Sequence, residues 1–328
     1  MKKILILFCG GTITMRKNKI GALVPFYDSN ELLTKYPDLK KVAKITIKKV
    51  VNIDSTNIEP KIWTKIATEI RNVYHLFDGF IVTHGTDTMA YTASALSFAL
   101  RNLNKPVILT GSQKPPDDLT SDAYNNMINA AIIATKKIPY VLIVFGSKIL
   151  LGNRATKVSE SRLNAFDSPM QHEIGEIALE PIINITPAKI NENKHLEFKP
   201  NFDPRILVIN IHPGLDSLLL NQIINMNFNG IILKSYGPGN IPRVVIPFIK
   251  KLKEKKLPVV ILSQCYRGTT QMQLYEVGQQ ALTAGAIPGG DMTIEAATTK
   301  LMWTLSYTKD LEKIKKIITK NLTGELTI

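Results

Sequence analysis

Short apolar, β-branched runs alternate with segments of helical period through the first half of the chain. Lys3–Cys9, Ile45–Ile53, Phe80–Thr83, Val107–Thr110 and Tyr140–Phe145 read as strands, and Pro60–Phe77, Asp87–Asn102 and Asp122–Lys137 read as helices. Strands that are apolar on both faces have to be covered on both, which a parallel sheet flanked by crossover helices achieves. The crossovers are expected to be right-handed. A polar, proline-punctuated stretch, Ile183–Pro204, interrupts the pattern. Alternation then resumes on a smaller scale with Ile206–Ile211, a helix from about Asp216, Gly230–Lys234, a helix from about Pro242, Pro258–Leu262, and helices around Glu276–Ala284, Met292–Tyr307 and Asp310–Asn321. The expected architecture is α/β. A larger N-terminal, doubly wound, mostly parallel sheet domain spans residues 1–185, a linker spans 186–204, and a smaller C-terminal α/β domain spans 205–328.

Composition narrows the function classes. With 328 residues, 45% of them hydrophobic and 21% charged, the chain lies far from the regime of disorder or coiled coil. Lys+Arg 41 against Asp+Glu 27 gives +14, a balance compatible with nucleic acid or an anionic membrane. The lysines are scattered, however, and the denser runs at Lys250 to Lys256 and Lys313 to Lys320 fall on amphipathic helices, where they read as solvated faces. Neither nucleic acid nor a membrane is expected as a partner. Cys9 and Cys265 form no CxxC or Cys/His ligand spacing, so neither a disulfide framework nor a metal site is expected, and a reducing compartment fits. Met-Lys-Lys followed by Ile4–Cys9 imitates a secretion signal, but the apolar run is shorter than the ~7–15 residues such a signal needs. The expected location is the cytoplasm.

In an open parallel sheet, ligands bind where loops and helix N-termini converge beyond the carboxyl ends of the strands. The residues after the first four expected strands are Gly10-Gly11-Thr12, Asp54-Ser55-Thr56, His84-Gly85-Thr86-Asp87 and Gly111-Ser112-Gln113. Hydroxyl, carboxylate and glycine recur at all four. Gly-Gly-Thr lacks the third glycine of GxGxxG and is followed by no Walker lysine, so it points to neither a dinucleotide nor a P-loop site. A hydroxyl on a glycine-flanked turn suits a nucleophile, with nearby N–H groups available to a developing oxyanion; it equally suits a plain turn in which Thr12 bonds the backbone. Thr86-Asp87 reads either as a helix N-cap or as part of that chemistry. Lys157, in Gly152-Asn153-Arg154-Ala155-Thr156-Lys157, reads either as a solvated charge or as the base a hydroxyl nucleophile needs.

Together these residues resemble a known family. Cys9-Gly10-Gly11-Thr12-Ile13 and His84-Gly85-Thr86-Asp87-Thr88-Met89-Ala90-Tyr91 are similar to the two signatures of the bacterial-type L-asparaginases, and Thr92-Ala93-Ser94-Ala95-Leu96-Ser97-Phe98 resembles the cytoplasmic, type I branch. Further matches occur at Asp54-Ser55, Leu109 to Gln113, Gly152 to Lys157, Ser235 to Asn240, Gly290 to Thr293 and Gly324 to Thr327, in order along the whole chain. The resemblance implies an amidohydrolase that converts L-asparagine to L-aspartate and ammonia through an acyl-threonine, with glutamine as a minor substrate and no cofactor. Thr12 would be the nucleophile, with Thr86, Asp87 and Lys157 as the second catalytic constellation. Gly11, Asp54, Ser55, Thr56, Gly85, Ser112 and Asn240 would hold the substrate, with Ser55, Asp54 beside it, meeting the α-carboxylate and Asp87 the α-ammonium. Many relatives place a tyrosine on a lid after the first motif. Here Ala22 stands at that place, so Tyr275 is taken as the catalytic tyrosine and Tyr27 competes for the role.

The resemblance also implies a homodimer or homotetramer in which Asn240 approaches the neighbouring copy's substrate. A second, allosteric asparagine site would be lined by Thr156, Lys234, Ser263, Gln264 and Cys265. An arginine is usual at the place of Lys234 in regulated members, so cooperativity is expected to be weak or absent. The rival is the asparaginase-like subunit of the archaeal tRNA-dependent amidotransferase, which carries a domain ahead of its Gly-Gly-Thr motif. Here that motif begins at residue 10, which favours the asparaginase.

Overall fold

The computed structural model describes residues 1–18, 20–21, 23–25, 31–171, 173–184 and 195–327, which gather into two compact units, Met1–Pro200 and Asn201–Ile328. Ala22 and Tyr27 lie outside the described residues, as do residues 186–194 of the expected linker.

The first unit is built on an eight-stranded sheet of β1 (Lys3–Gly10), β2 (Lys44–Ile53), β3 (Gly79–Thr83), β4 (Val107–Thr110), β5 (Val141–Phe145), β6 (Lys148–Leu151), β7 (Gly175–Ile177) and β8 (Pro181–Ile183), in the order 2-1-3-4-5-6-7-8. The neighbours from β2 to β5 run parallel, and β6, β7 and β8 extend the sheet antiparallel. Helices α1 (Pro60–Asn72), α2 (Met89–Ala99) and α3 (Ala123–Ala134) follow β2, β3 and β4.

The burial of β1 on both its faces explains why helices lie on both sides of the sheet. Ile4, Ile6 and Phe8 pack in one cluster with Ala123, Met127, Ala130, Ala131 and Ala134 of α3, whose small side chains let the helix come close. Leu5 and Leu7 are buried toward the opposite face. Each such branched side chain contributes about 1.5–3 kcal/mol relative to exposure. β2 departs from the expectation of two apolar faces. It is an edge strand that alternates exposed and half-buried residues, with Lys44, Lys48 and Lys49 turned to water, the usual protection of an open edge. α1 begins with Pro60 at its first position and turns Trp63, Ile66, Ala67 and Ile70 inward.

Between β6 and β7 a separate antiparallel ladder pairs Thr156 with Asp167 and Lys157 with Phe166. Within the polar stretch read as a linker, Glu197–Phe198 pairs antiparallel with Leu100–Arg101 and so stays with the first unit.

The second unit has a four-stranded parallel sheet of β9 (Ile206–Asn210), β10 (Gly230–Ser235), β11 (Val259–Ser263) and β12 (Ala286–Pro288), in sequence order. One cluster unites Leu220 of α4 (Ser217–Ile223), Phe248 and Leu252 of α5 (Ile246–Glu254) and Ala281 of α6 (Glu276–Ala284) with the sheet; another adds Ala297 and Leu301 of α7 (Ile294–Tyr307) and Ile314 and Ile318 of α8 (Leu311–Ile318). Asp216, Thr293 and Asp310 cap α4, α7 and α8 through their side chains. The fully buried Lys300 Nζ donates to Glu325 Oε1 at 2.6 Å, Ile318 O at 2.9 Å and Lys320 O at 2.6 Å, which satisfies all three of its protons.

Candidate active site

Three strand exits of the first unit meet at the peptide between His84 and Gly85. Leaving β1, Gly10 and Gly11 take φ of +93° and +89°, a region that favours glycine. A Cβ on Gly11 would stand 2.4 Å from the Gly85 nitrogen, so the turn lies directly on that peptide. Thr12–Thr14 form a tight 3-10 turn, in which the Thr14 N–H and hydroxyl both donate to Gly11 O at 2.9 Å, and the buried Tyr36 hydroxyl donates to Ile13 O at 3.0 Å. With the backbone satisfied in this way, the Thr12 hydroxyl has no protein partner among the described residues.

At the end of β2, Asp54 Oδ1 accepts the Thr56 N–H at 2.8 Å and the Thr56 hydroxyl at 2.9 Å, which ties those two side chains to each other. Ser55 between them is 3% exposed. A Cβ on Gly85 would stand 2.5 Å from Ser55 Oγ, so glycine is what lets these two exits touch. The Ser55 hydroxyl, like that of Thr12, has no protein partner among the described residues.

The alternative that Thr86 and Asp87 serve as a helix cap is not what the geometry holds. α2 starts at Met89 behind Thr88, which makes no capping bond and instead donates its hydroxyl to Ser55 O at 2.7 Å. Lys157 Nζ lies 2.7 Å from both Thr86 Oγ1 and Asp87 Oδ1. The lysine comes from the ladder between β6 and β7, so residues far apart in sequence form one cluster; Thr86 is 8% exposed while the Asp87 side chain is more than half exposed.

The fourth exit supplies a residue the sequence reading left in the background. The Ser112 hydroxyl donates to Lys114 O at 2.6 Å and the residue is fully buried, so its hydroxyl is committed to holding the loop. Gln113, its neighbour, donates from Nε2 to Glu160 O at 3.0 Å and Arg162 O at 3.1 Å. Those carbonyls only accept, so Gln113 Oε1 faces Thr86, whose hydroxyl donates to it at 3.1 Å. The lone pairs of Thr86 Oγ1 are thereby left to the Lys157 ammonium. Asp122 fixes this exit by accepting the N–H groups of Gln113 and Lys114 and the Asn126 amide.

His84 is a second residue the sequence reading named without assigning. Trp63 Nε1, which can only donate, reaches Thr92 Oγ1 at 3.0 Å; the Thr92 hydroxyl lies 2.8 Å from His84 Nε2, and His84 Nδ1 lies 2.7 Å from Gly85 O. The chain is consistent in one direction only: Trp63 donates to Thr92, Thr92 to Nε2, and the Nδ1–H to the carbonyl. Complete burial pushes the imidazole down to about 4, so His84 is neutral and holds the Gly85 peptide in place. Burial likewise pushes the Cys9 thiol up to about 12, which leaves it inert.

The remaining expected residues belong to the second unit, apart from Thr156 in the ladder of the first. Asn240 closes a five-residue turn with Tyr236 through paired backbone bonds of 3.1 and 2.8 Å. Tyr275 precedes α6 and is 53% exposed, so it is not a core aromatic. Gln264 Nε2 donates to Ile211 O and Lys234 O, the Ser263 hydroxyl donates to Gly237 O at 2.7 Å and accepts the Cys265 N–H at 3.0 Å. These side chains knit together the exits of β9, β10 and β11. Among the described residues, no group of three or more His, Cys, Asp or Glu is placed to hold a metal ion, and no helix is long and apolar enough to cross a membrane.

Comparison with known proteins agrees along the whole chain. The family profile "Asparaginase, N-terminal" matches residues 3–189, and "Glutaminase/Asparaginase C-terminal domain" matches residues 205–318. L-asparaginase of Thermococcus kodakarensis is 39% identical over 99% of both chains, and its solved structure superposes with a TM-score of 0.93. The structure of L-asparaginase I from Vibrio cholerae is 35% identical, with a TM-score of 0.90 over 100% of this chain and 99% of that one. A glutamyl-tRNA(Gln) amidotransferase subunit of Pyrococcus abyssi is 35% identical over 100% of this chain and 77% of its own. By its sequence along both units and by its fold, this chain belongs to the asparaginase family.

Proposed function

We propose that this protein hydrolyses L-asparagine to L-aspartate and ammonia through an acyl-threonine, with glutamine as a minor substrate. The observation that carries the proposal is the pair of unpartnered hydroxyls, Thr12 and Ser55, set against the 84–85 peptide that leads into the Thr86–Lys157–Asp87 cluster. The Thr12 oxygen adds to the side-chain amide carbon, and the N–H groups near Gly11 and Thr86 hold the resulting oxyanion. The C–N bond then breaks, ammonia departs with the proton given up by Thr12, and water splits the ester to free aspartate and restore the hydroxyl. Thr86 and Lys157 relay protons. Asp87, exposed and anionic, meets the α-ammonium, while Ser55, beside Asp54, meets the α-carboxylate; Gly85, Thr56 and Ser112 shape the pocket. Coupled measurement of ammonia from L-asparagine and from L-glutamine over a wide concentration range tests the reaction. Efficiency (kcat/KM) higher for glutamine, or no release from either, would refute it.

The likeness to the amidotransferase protein favours a second reading, in which ammonia serves a partner acting on aminoacylated tRNA. Turnover of free asparagine by this chain alone, undiminished at high salt, separates the two. The likeness to the type I branch supports a cytoplasmic homodimer or homotetramer, without nucleic acid or membrane partners, in which Asn240 completes the neighbouring copy's site and Tyr275 assists the nucleophile. Light scattering that found an active monomer would contradict the assembly. We further propose that any asparagine response at Thr156, Lys234, Ser263, Gln264 and Cys265 is weak or absent, since the Ser263 hydroxyl and the Gln264 amide nitrogen are already engaged at strand exits. A Hill coefficient well above one that falls to one in Lys234→Ala would overturn this.

A further inference from the structure

Within the first-unit cluster, Thr86 and Asp87 follow closely on β3 of the main sheet, whereas Lys157 lies on a strand of a separate ladder. Its strand is two residues long and pairs, among the described residues, with Phe166–Asp167 alone. A ladder that short does not place an ammonium within 2.7 Å of two oxygens unless its other strand is anchored. Two anchors stand on the β5–β6 hairpin. Phe166, 1% exposed, packs edge-on against Phe145 at 5.1 Å between centroids. Directly across the hairpin from Phe145 is Lys148, whose Nζ lies 2.9 Å from Asp167 Oδ1 and 2.8 Å from Glu173 Oε1.

Asp167 is the register partner of Thr156, next to Lys157. Lys148 therefore ties the ladder to the main sheet one residue away from the reacting lysine. The pair is three-quarters shielded from water, which strengthens it relative to a surface bridge. Glu173 lies just before β7 and pairs with the same ammonium, so Lys148 fixes both the ladder and the chain returning to the sheet.

We propose that Lys148 is a positioning residue for Lys157, acting through Asp167 and the two-residue ladder. The proposal rests on the reading of Lys157 as part of the catalytic cluster. Lys148 touches neither substrate nor reacting atoms; it sets where the Lys157 ammonium stands relative to Thr86 and Asp87. A displacement of ~1 Å at such a group is enough to cost ~10²-fold in rate, so even partial loosening has a measurable effect.

The test compares steady-state ammonia release, per folded enzyme, for wild type, Lys148→Met, Lys148→Arg, Asp167→Asn and Lys157→Met. Lys148→Met is expected to lower kcat about tenfold with KM within about twofold, because binding groups on β1, β2 and β3 are untouched. Lys148→Arg should recover most of the loss, since a guanidinium can hold both carboxylates. A role in stability alone would lower Tm and leave kcat per folded enzyme unchanged. Should Lys148→Met fail to fold, Asp167→Asn keeps Lys148 paired with Glu173, cuts the tie to the ladder, and is expected to show the same split between kcat and KM. A kcat within twofold of wild type in the folded variants, while Lys157→Met is inactive, overturns the inference and leaves the reading of Lys157 standing. Full activity in Lys157→Met overturns that reading itself.

Discussion

Acid should destabilise the first unit through His84. In the folded protein this imidazole is wholly buried, and desolvation holds it at about 4 against 6.5 for an unhindered histidine. The unfolded chain therefore binds a proton through a range of pH in which the folded chain does not. A depressed pKa of this kind gives stability that is fully present above 6.5 and is lost as the pH falls toward 4. Linkage puts the loss at about 2 kcal/mol by pH 5 and about 3 kcal/mol by pH 4, relative to pH 8. Urea unfolding followed by Trp63 fluorescence reads this directly, because Trp63 is buried in the first unit and donates into the same hydrogen-bond chain. The second unit's tryptophan is silenced by Trp303→Phe. Carboxylates that titrate in the same range contribute equally to a His84→Gln variant, so the difference between the two pH profiles isolates the histidine. Profiles of equal slope between pH 8 and pH 4 would refute the neutral, buried assignment.

Lys300→Met should cost the second unit about 3–5 kcal/mol, because it leaves the Glu325 carboxylate buried without its cation; Lys300→Met/Glu325→Gln should recover part of that, since the amide is uncharged and its oxygen can still accept from the N–H groups of Leu322 and Thr323, as read by Trp303 fluorescence in urea. Gly11→Ala should lower kcat about a hundredfold, since a Cβ there meets the Gly85 backbone at 2.4 Å and the Thr12 turn has to move. Thr86→Val and Lys157→Met should bind asparagine by calorimetry yet release no ammonia; turnover near wild type in either would remove that residue from the cluster.

Most of the framework was legible because burial on two faces leaves so strong a trace. Val107–Thr110 matches its expected strand at both ends, and Glu276–Ala284 its expected helix. The antiparallel end of the first sheet was not legible. Gly175–Ile177 and Pro181–Ile183 are three residues each and half exposed, too short for a period-2 pattern to stand out. The helix expected over Asp87–Asn102 begins only at Met89 because Thr86, Asp87 and Thr88 turn their side chains to Lys157 and Ser55 instead of capping. Residue types at the strand exits pointed to Thr12, Ser55, Thr86 and Asp87. What they left dark was pairing across long separations: Tyr36 on Ile13, Gln113 on the carbonyls of Glu160 and Arg162, and Trp63 through Thr92 on His84. Each rests on one or two hydrogen bonds set by tertiary packing, to which no local period corresponds. Only Gln113 and His84 carried a signal, since each stands within a strand exit of the sequence, beside Ser112 and Gly85.

The most direct test of the acyl-threonine account is the ammonia released from L-asparagine by wild type and by Thr12→Ala, with Tm measured on both. A hydroxyl without a protein partner is lost at a stability cost of no more than ~1 kcal/mol, so Tm should barely move. Without the attacking oxygen the covalent path is gone, and turnover should fall below one per cent of wild type. A Thr12→Ala protein that keeps its Tm and retains more than a few per cent of the activity would contradict the account.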